Sequence, residues 1–179
     1  MNGMSGMGSM SSMMGDVDRH FIEQMIPHHQ AAIDMANLAL QRAQHPELRA
    51  LAADIKRTQT SEINQMRAWY KQWYGTDVPA TPAGAMGGMM MGCGGTNGMS
   101  GTTDGSMSSL KNAADFDKAF IEQMIPHHQM ALMMSQMVLM GGQKAELRTL
   151  VQSIITGQSA QITQMSNWYA TWYGGGTSK

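Results

Sequence analysis

Two stretches of this chain carry side chains that could do chemistry together. Phe21-Ile-Glu-Gln-Met-Ile-Pro-His-His-Gln30 returns unchanged as Phe120-Ile-Glu-Gln-Met-Ile-Pro-His-His-Gln129. On a helix, Met25 lies one turn from His28 and His29, and Met124 stands likewise to His127 and His128. Met35 follows His28 two turns later on the same stripe, and Met134 follows His127. Imidazole and thioether together form a soft donor set, which suits Cu(I) and, by similar softness, Ag(I). Adjacent histidines diverge by about 100° on a helix. One pair therefore cannot close both rings on a single ion unaided, and each ring serves a different ion or faces a different neighbour. A plainer reading stays open. A histidine on an apolar face is usually held by a backbone carbonyl, and a buried methionine is adaptable filler. Ligation needs neutral imidazole, so histidine sites are expected to weaken below about pH 6.5, whereas thioether sites persist.

The methionine count supports the soft-donor reading. There are 22 methionines against three phenylalanines in 179 residues. Residues 1–15 are mostly Met, Gly and Ser, with Met1, Met4, Met7, Met10 and Met13 at every third position. Such a segment cannot bury a core and reads as a flexible tail. Residues 76–111 are rich in Gly, Met, Ser and Thr, and contain Met89, Met90, Met91 and Cys93. They read as a linker that could add thioether ligands and one thiolate. Between the two copies, Ala31, Asp34, Leu38 and Gln41 become Met130, Met133, Met137 and Met140. Asp and Gln occupied that flank, so it tolerates water, and methionine is not needed there for burial. A ladder of metal ligands is one reading; an apolar seam against another chain is the other. Met66 and its counterpart Met165 lie on the second helices and could approach the histidine-bearing ones.

Several classes are excluded. The net charge is −1, with no basic patch for nucleic acid. Cys93 is the single cysteine, so no intramolecular disulfide or Cys-pair zinc site can form. No run is apolar enough for long enough to span a membrane, and no basic-then-apolar leader is evident. These features fit either a cytosolic protein or a mature secreted form with its signal removed. No nucleophile elbow, phosphate loop or His-Glu-x-x-His motif occurs. A di-iron bundle would use Glu-x-x-His, but Glu23 and Glu122 each precede the first histidine by five. These glutamates are expected to cap, to pair with basic residues or to hydrogen-bond a histidine. The chain reads as a binding protein, not an enzyme.

The elements that must position these residues are helices. Apolar residues at helical spacing run from Phe21 to about Ala43, with Asp16 or Asp18 as the cap. Pro27 should kink the helix or restart it, since it cannot donate to Glu23. Pro46 opens a second helix, whose buried side is Leu48, Leu51, Ile55, Ile63, Met66, Tyr70 and Trp73, and Gly75 ends it. So short a turn makes the two helices antiparallel neighbours. The second copy follows at a constant offset of 99 residues, as from His28 to His127. The expected organisation is a tail (1–15), a first hairpin (16–75), a linker (76–111), a second hairpin (112–174) and a short tail (175–179). Two hairpins that each need a partner face combine most simply as an all-α four-helix bundle.

At the repeated motif the chain resembles a bacterial family once catalogued only as a domain of unknown function. Its hallmark is a helix carrying Phe-Ile-x-x-Met-Ile-x-His-His followed by small residues and Met. The resemblance covers residues 16–75 and 115–174. It implies a ferritin-like four-helix bundle, Cu(I) and Ag(I) binding, and a role in copper resistance outside the cytoplasm. By that resemblance Met25, His28, His29, Met35, Met124, His127, His128 and Met134 carry over as ligands.

The reading is a periplasmic or secreted Cu(I)- and Ag(I)-binding protein that sequesters copper or passes it to a transfer or efflux protein. The rivals are a Met-rich module that grips partner helices and, more weakly, a copper-dependent oxidase.

Overall fold

The computed structural model describes residues 16–80 and 103–174. Five helices follow in order: α1 (Asp16–Arg42), α2 (Pro46–Tyr74), α3 (Thr103–Asn112), α4 (Phe116–Gly141) and α5 (Ala145–Tyr173). The described residues contain no strand. α1 packs on α2 and α4 packs on α5, forming two hairpins, and the hairpins meet through α1 and α4. α2 and α5 make little contact with each other. The bundle is therefore tight along its α1–α4 seam and splayed along its α2–α5 side. His28 and His29 sit at the middle of α1, and His127 and His128 at the middle of α4. The helix pair that joins the two hairpins thus carries the repeated motif.

The stripe expected on α2 is observed. Leu48, Leu51, Ile55, Ile63, Met66 and Tyr70 are buried, while Trp73 is half-buried. α2 ends at Gly75, whose positive φ of 71° is the left-handed conformation that glycine adopts without strain.

Three expectations require correction. Of the two alternatives at the prolines, the restart is excluded, because both helices run on through Pro27 and Pro126. Asp18 does not cap its own helix: it lies inside α1, and its Oδ2 accepts from the backbone N–H of Gln143 and Lys144 at 2.8 and 3.0 Å. Its counterpart Asp117 does the reverse, accepting from the N–H of Gln44 and His45 at 3.0 and 2.9 Å. Each repeat thus supplies a buried carboxylate that satisfies the orphan donors opening the second helix of the other repeat. Periodicity within one helix cannot reveal that exchange.

The third correction concerns the linker, which is not structureless throughout. Residues Thr103–Asn112 form α3. Leu110 on it is fully buried, in one cluster with Phe116, Phe120 and Ala39. Arg42 donates to the carbonyls of Leu110 and Ala113 at 3.2 and 3.1 Å, tying the end of α1 to that of α3. The sequence of α3 has weak helix propensity and a single strong apolar anchor, so tertiary packing makes this helix. The tail, most of the linker and Cys93 lie outside the described residues.

Candidate metal centre

The two repeats bring four imidazoles together at the α1–α4 seam. His28 and His127 stack across it, with ring centroids 3.7 Å apart and planes inclined by 29°. Within each pair the rings are 6.4 Å apart. Each neighbouring histidine therefore faces a different partner, as the helical divergence requires. His28, His29 and His128 are buried, and His127 is half-buried.

The outer histidines turn toward the second helices. His29 Nε2 lies 2.7 Å from Glu62 Oε2, and His128 Nε2 lies 2.7 Å from Gln161 Oε1. Gln161 Nε2 in turn donates to Asp54 Oδ2 at 3.2 Å. These partners set the tautomers. A carboxylate can only accept, so His29 Nε2 carries the proton. Gln161 spends its N–H on Asp54 and presents its oxygen, so His128 Nε2 also carries the proton. The lone pair of each ring is then left on Nδ1. Both Nδ1 atoms are buried with no hydrogen-bond partner. His127 Nδ1 and both ring nitrogens of His28 are in the same state. Buried nitrogens without partners carry a desolvation cost, and an ion is one thing that offsets it.

Burial also fixes the charge. It pushes His28 well below the usual histidine range, and the neighbouring His127, His29 and His128 add to the effect. Burial lowers His127 to about 3, aided by His128 and His29. Burial lowers His128 to about 4, against its hydrogen bond to the Gln161 oxygen, which raises it. All three are neutral at pH 7 and present the ligand form. The loss of histidine ligation expected near pH 6.5 therefore moves to lower pH, because the core refuses the proton.

Of the roles expected for the repeated glutamates, Glu23 takes the pairing with a basic residue, and neither of them bonds a histidine of the seam. Glu23 accepts from Arg19 at 3.0 Å and from the Tyr70 hydroxyl at 2.5 Å. Glu122 accepts from the Tyr169 hydroxyl at 2.7 Å. The residues that hold the histidines are Glu62 and Gln161, which helix periodicity alone did not single out. The signal available for them was their equivalent place in the two copies.

The buried methionines fall into two groups that cross the repeats. Met25 and Met66 belong to one core cluster, with Met134 packed against it. Met124, Met165 and Met35 belong to the other. Met35 thus joins the second repeat's Met124, and Met134 joins the first repeat's Met25. Sharing a stripe with its own histidine did not reveal that exchange. Met130, Met133, Met137 and Met140 are exposed, from 42% at Met130 to 81% at Met140. Among the described residues, no three His, Cys, Asp or Glu side chains converge to hold one ion. A structural or catalytic zinc site of nitrogen, thiolate and carboxylate ligands is therefore not built among them. The donors these elements do gather are imidazole nitrogen and, in the two core clusters, thioether sulfur, both of them soft.

The sequence matches the family described as Domain of unknown function (DUF305) over residues 18–169. The chain belongs to the DUF305 family. This DUF305 protein is similar to CopM, which has been solved in a Cu(I)-bound form. The two are 44% identical, with a TM-score of 0.72, over 87% of this chain and 97% of that one. CopM has also been solved with silver and in a Cu(II)-bound form. A DUF305 fragment from Deinococcus radiodurans is 27% identical with a TM-score of 0.68, covering 87% of this chain and 96% of the fragment. A stretch of 51 residues, 28% of this chain, is 39% identical to an uncharacterized protein of Acanthamoeba polyphaga mimivirus and spans 34% of that protein's length. Among the described residues, no helix is long and apolar enough to cross a membrane.

Proposed function

We propose that this chain binds Cu(I), with Ag(I) as a surrogate, and acts without enzymatic turnover as a periplasmic or secreted copper buffer or carrier. The observation that carries the reading is the set of four imidazoles at the seam whose buried Nδ1 atoms lack partners. Its support from outside the chain is the 44% identity to a protein solved with Cu(I) and with silver. His28, His29, His127 and His128 supply nitrogen. Met25, Met66 and Met134 supply thioethers on one side of the seam, and Met124, Met165 and Met35 on the other. Met130, Met133, Met137 and Met140 form an exposed soft station, from which copper passes to a transfer or efflux protein.

The exposed methionine stripe also favours a second reading, a surface that grips apolar partner helices. One experiment separates them: titrate Cu(I) and Ag(I) into the full chain and into a variant with all four histidines replaced by asparagine. The copper reading expects stoichiometry to drop in the variant. Unchanged stoichiometry together with lost partner binding would favour the interaction module.

A further inference from the structure

The splayed side of the bundle is a groove of about 900 Å³ between α2 and α5, most of whose lining residues are polar types. Asp54, Gln59, Glu62, Gly157, Gln158 and Gln161 are among its lining residues, and no lysine or arginine is. Two of these residues are the hydrogen-bond partners of the outer histidines, so the wall of the groove is one hydrogen bond from the buried rings. Gln59 and Gln158 occupy equivalent positions in the two repeats. Both are buried, and the Oε1 of each lacks a partner. A core gains nothing from two orphaned amide oxygens in register, whereas a passing cation does. Asp54 also pairs with the exposed Arg57, which leaves Glu62 as the carboxylate nearest the rings.

We propose that this groove is the route by which the copper ion reaches the histidines. The carboxylate of Glu62 and the amide oxygens of Gln59 and Gln158 take over from water as the ion sheds its hydration. The ion then passes to nitrogen and sulfur, which hold a soft cation better than oxygen does. At the α1–α4 seam His28 and His127 are in ring contact. This inference rests on the histidine-ligation reading above, and its test separates the two.

Gly157 is the place to close the groove. A Cβ there meets nothing within 4 Å, and glycine weakens a helix interior, so a larger residue suits α5. The experiment follows loading of the full chain by stopped flow, with Cu(I) delivered from a chromogenic Cu(I) chelate. Wild type, Gly157→Trp and Thr156→Trp are compared; Thr156 is exposed and lies outside the groove lining. The histidine phase is the one that disappears in the His28→Asn/His127→Asn variant. Lined clefts of one charge sign raise cation on-rates by roughly 10–10³. Gly157→Trp is expected to slow that phase about tenfold or more, with unchanged final stoichiometry, while Thr156→Trp is not. Ala160→Trp, at another lining position, is expected to act as Gly157→Trp does and serves if the latter is destabilised. An unchanged rate in both groove variants overturns the route but leaves histidine ligation standing. Absence of any histidine phase in wild type overturns both.

Discussion

The rings of His28 and His127 are stacked 3.7 Å apart across the two halves of the molecule. Protonating both would place two like charges in contact within an apolar seam. The arrangement therefore favours neutral rings, and this has a consequence for stability. An unfolded histidine titrates near pH 6.5, whereas folded His127 and His128 titrate at about 3 and about 4. Between those limits the unfolded chain takes up protons that the folded chain refuses. Stability is thus full above about pH 6.5 and falls as the pH drops toward 4, by on the order of a few kcal/mol per histidine. Urea midpoints at pH 7, 5.5 and 4.5 check this. His128→Asn should flatten the slope, and a slope as steep as in wild type would show that other groups set it.

Copper binding should follow the opposite intuition to a surface histidine. While the chain stays folded, His128 competes with protons only near pH 4. Cu(I) stoichiometry measured at pH 5 is therefore expected to equal that at pH 7. A loss centred near pH 6.5 would mean that the ligating rings are solvated.

The crossed carboxylates make the two repeats interdependent. Asp117→Asn is expected to destabilise the chain by about 1–3 kcal/mol, because a buried charge-assisted cap is lost. Asp117 also bonds His45 Nδ1 at 2.6 Å, whereas at the equivalent place Lys144 offers Asp18 only its backbone N–H. Asp117→Asn should therefore cost more than Asp18→Asn. Equal costs in thermal unfolding would mean that the side-chain bond to His45 adds nothing.

α3 is a packing helix, and Leu110 is its anchor. Leu110→Ala is expected to cost about 2–5 kcal/mol. A loss under about 0.5 kcal/mol, the range of an ordinary surface change, would show that α3 does not hold the core.

The exposed ladder gives a contrasting result. Replacing Met130, Met133, Met137 and Met140 with leucine should leave stability within about 0.5 kcal/mol per site. It should remove Ag(I) equivalents if the ladder is a soft-metal station. Full retention of silver would reassign it to partner binding.

Much of this organisation was legible in the sequence because duplication prints it twice. The hairpins follow from Phe21, Ile22 and Met25 recurring at 120, 121 and 124, and from Pro46 and Gly75 bounding α2. The methionines at 133 and 140 stand where the first copy has Asp34 and Gln41, and the exposure of that flank follows from this. What the sequence withheld are relations between the repeats. The exchange of Asp18 and Asp117 depends on how the hairpins dock, as does the move of Met35 toward Met124. α3 was hidden because one leucine among small polar residues has no periodicity. The roles of Glu62 and Gln161 were hidden because their partners are 33 residues away.

In the proposed site imidazole nitrogen and thioether sulfur share one Cu(I) ion inside the bundle. Copper K-edge X-ray absorption on the chain loaded with one equivalent of Cu(I) reads the ligand atoms directly. The expected result is a mixed shell of nitrogen and sulfur that loses nitrogen in the variant lacking His28, His29, His127 and His128. A shell of sulfur alone in the wild-type chain would contradict it.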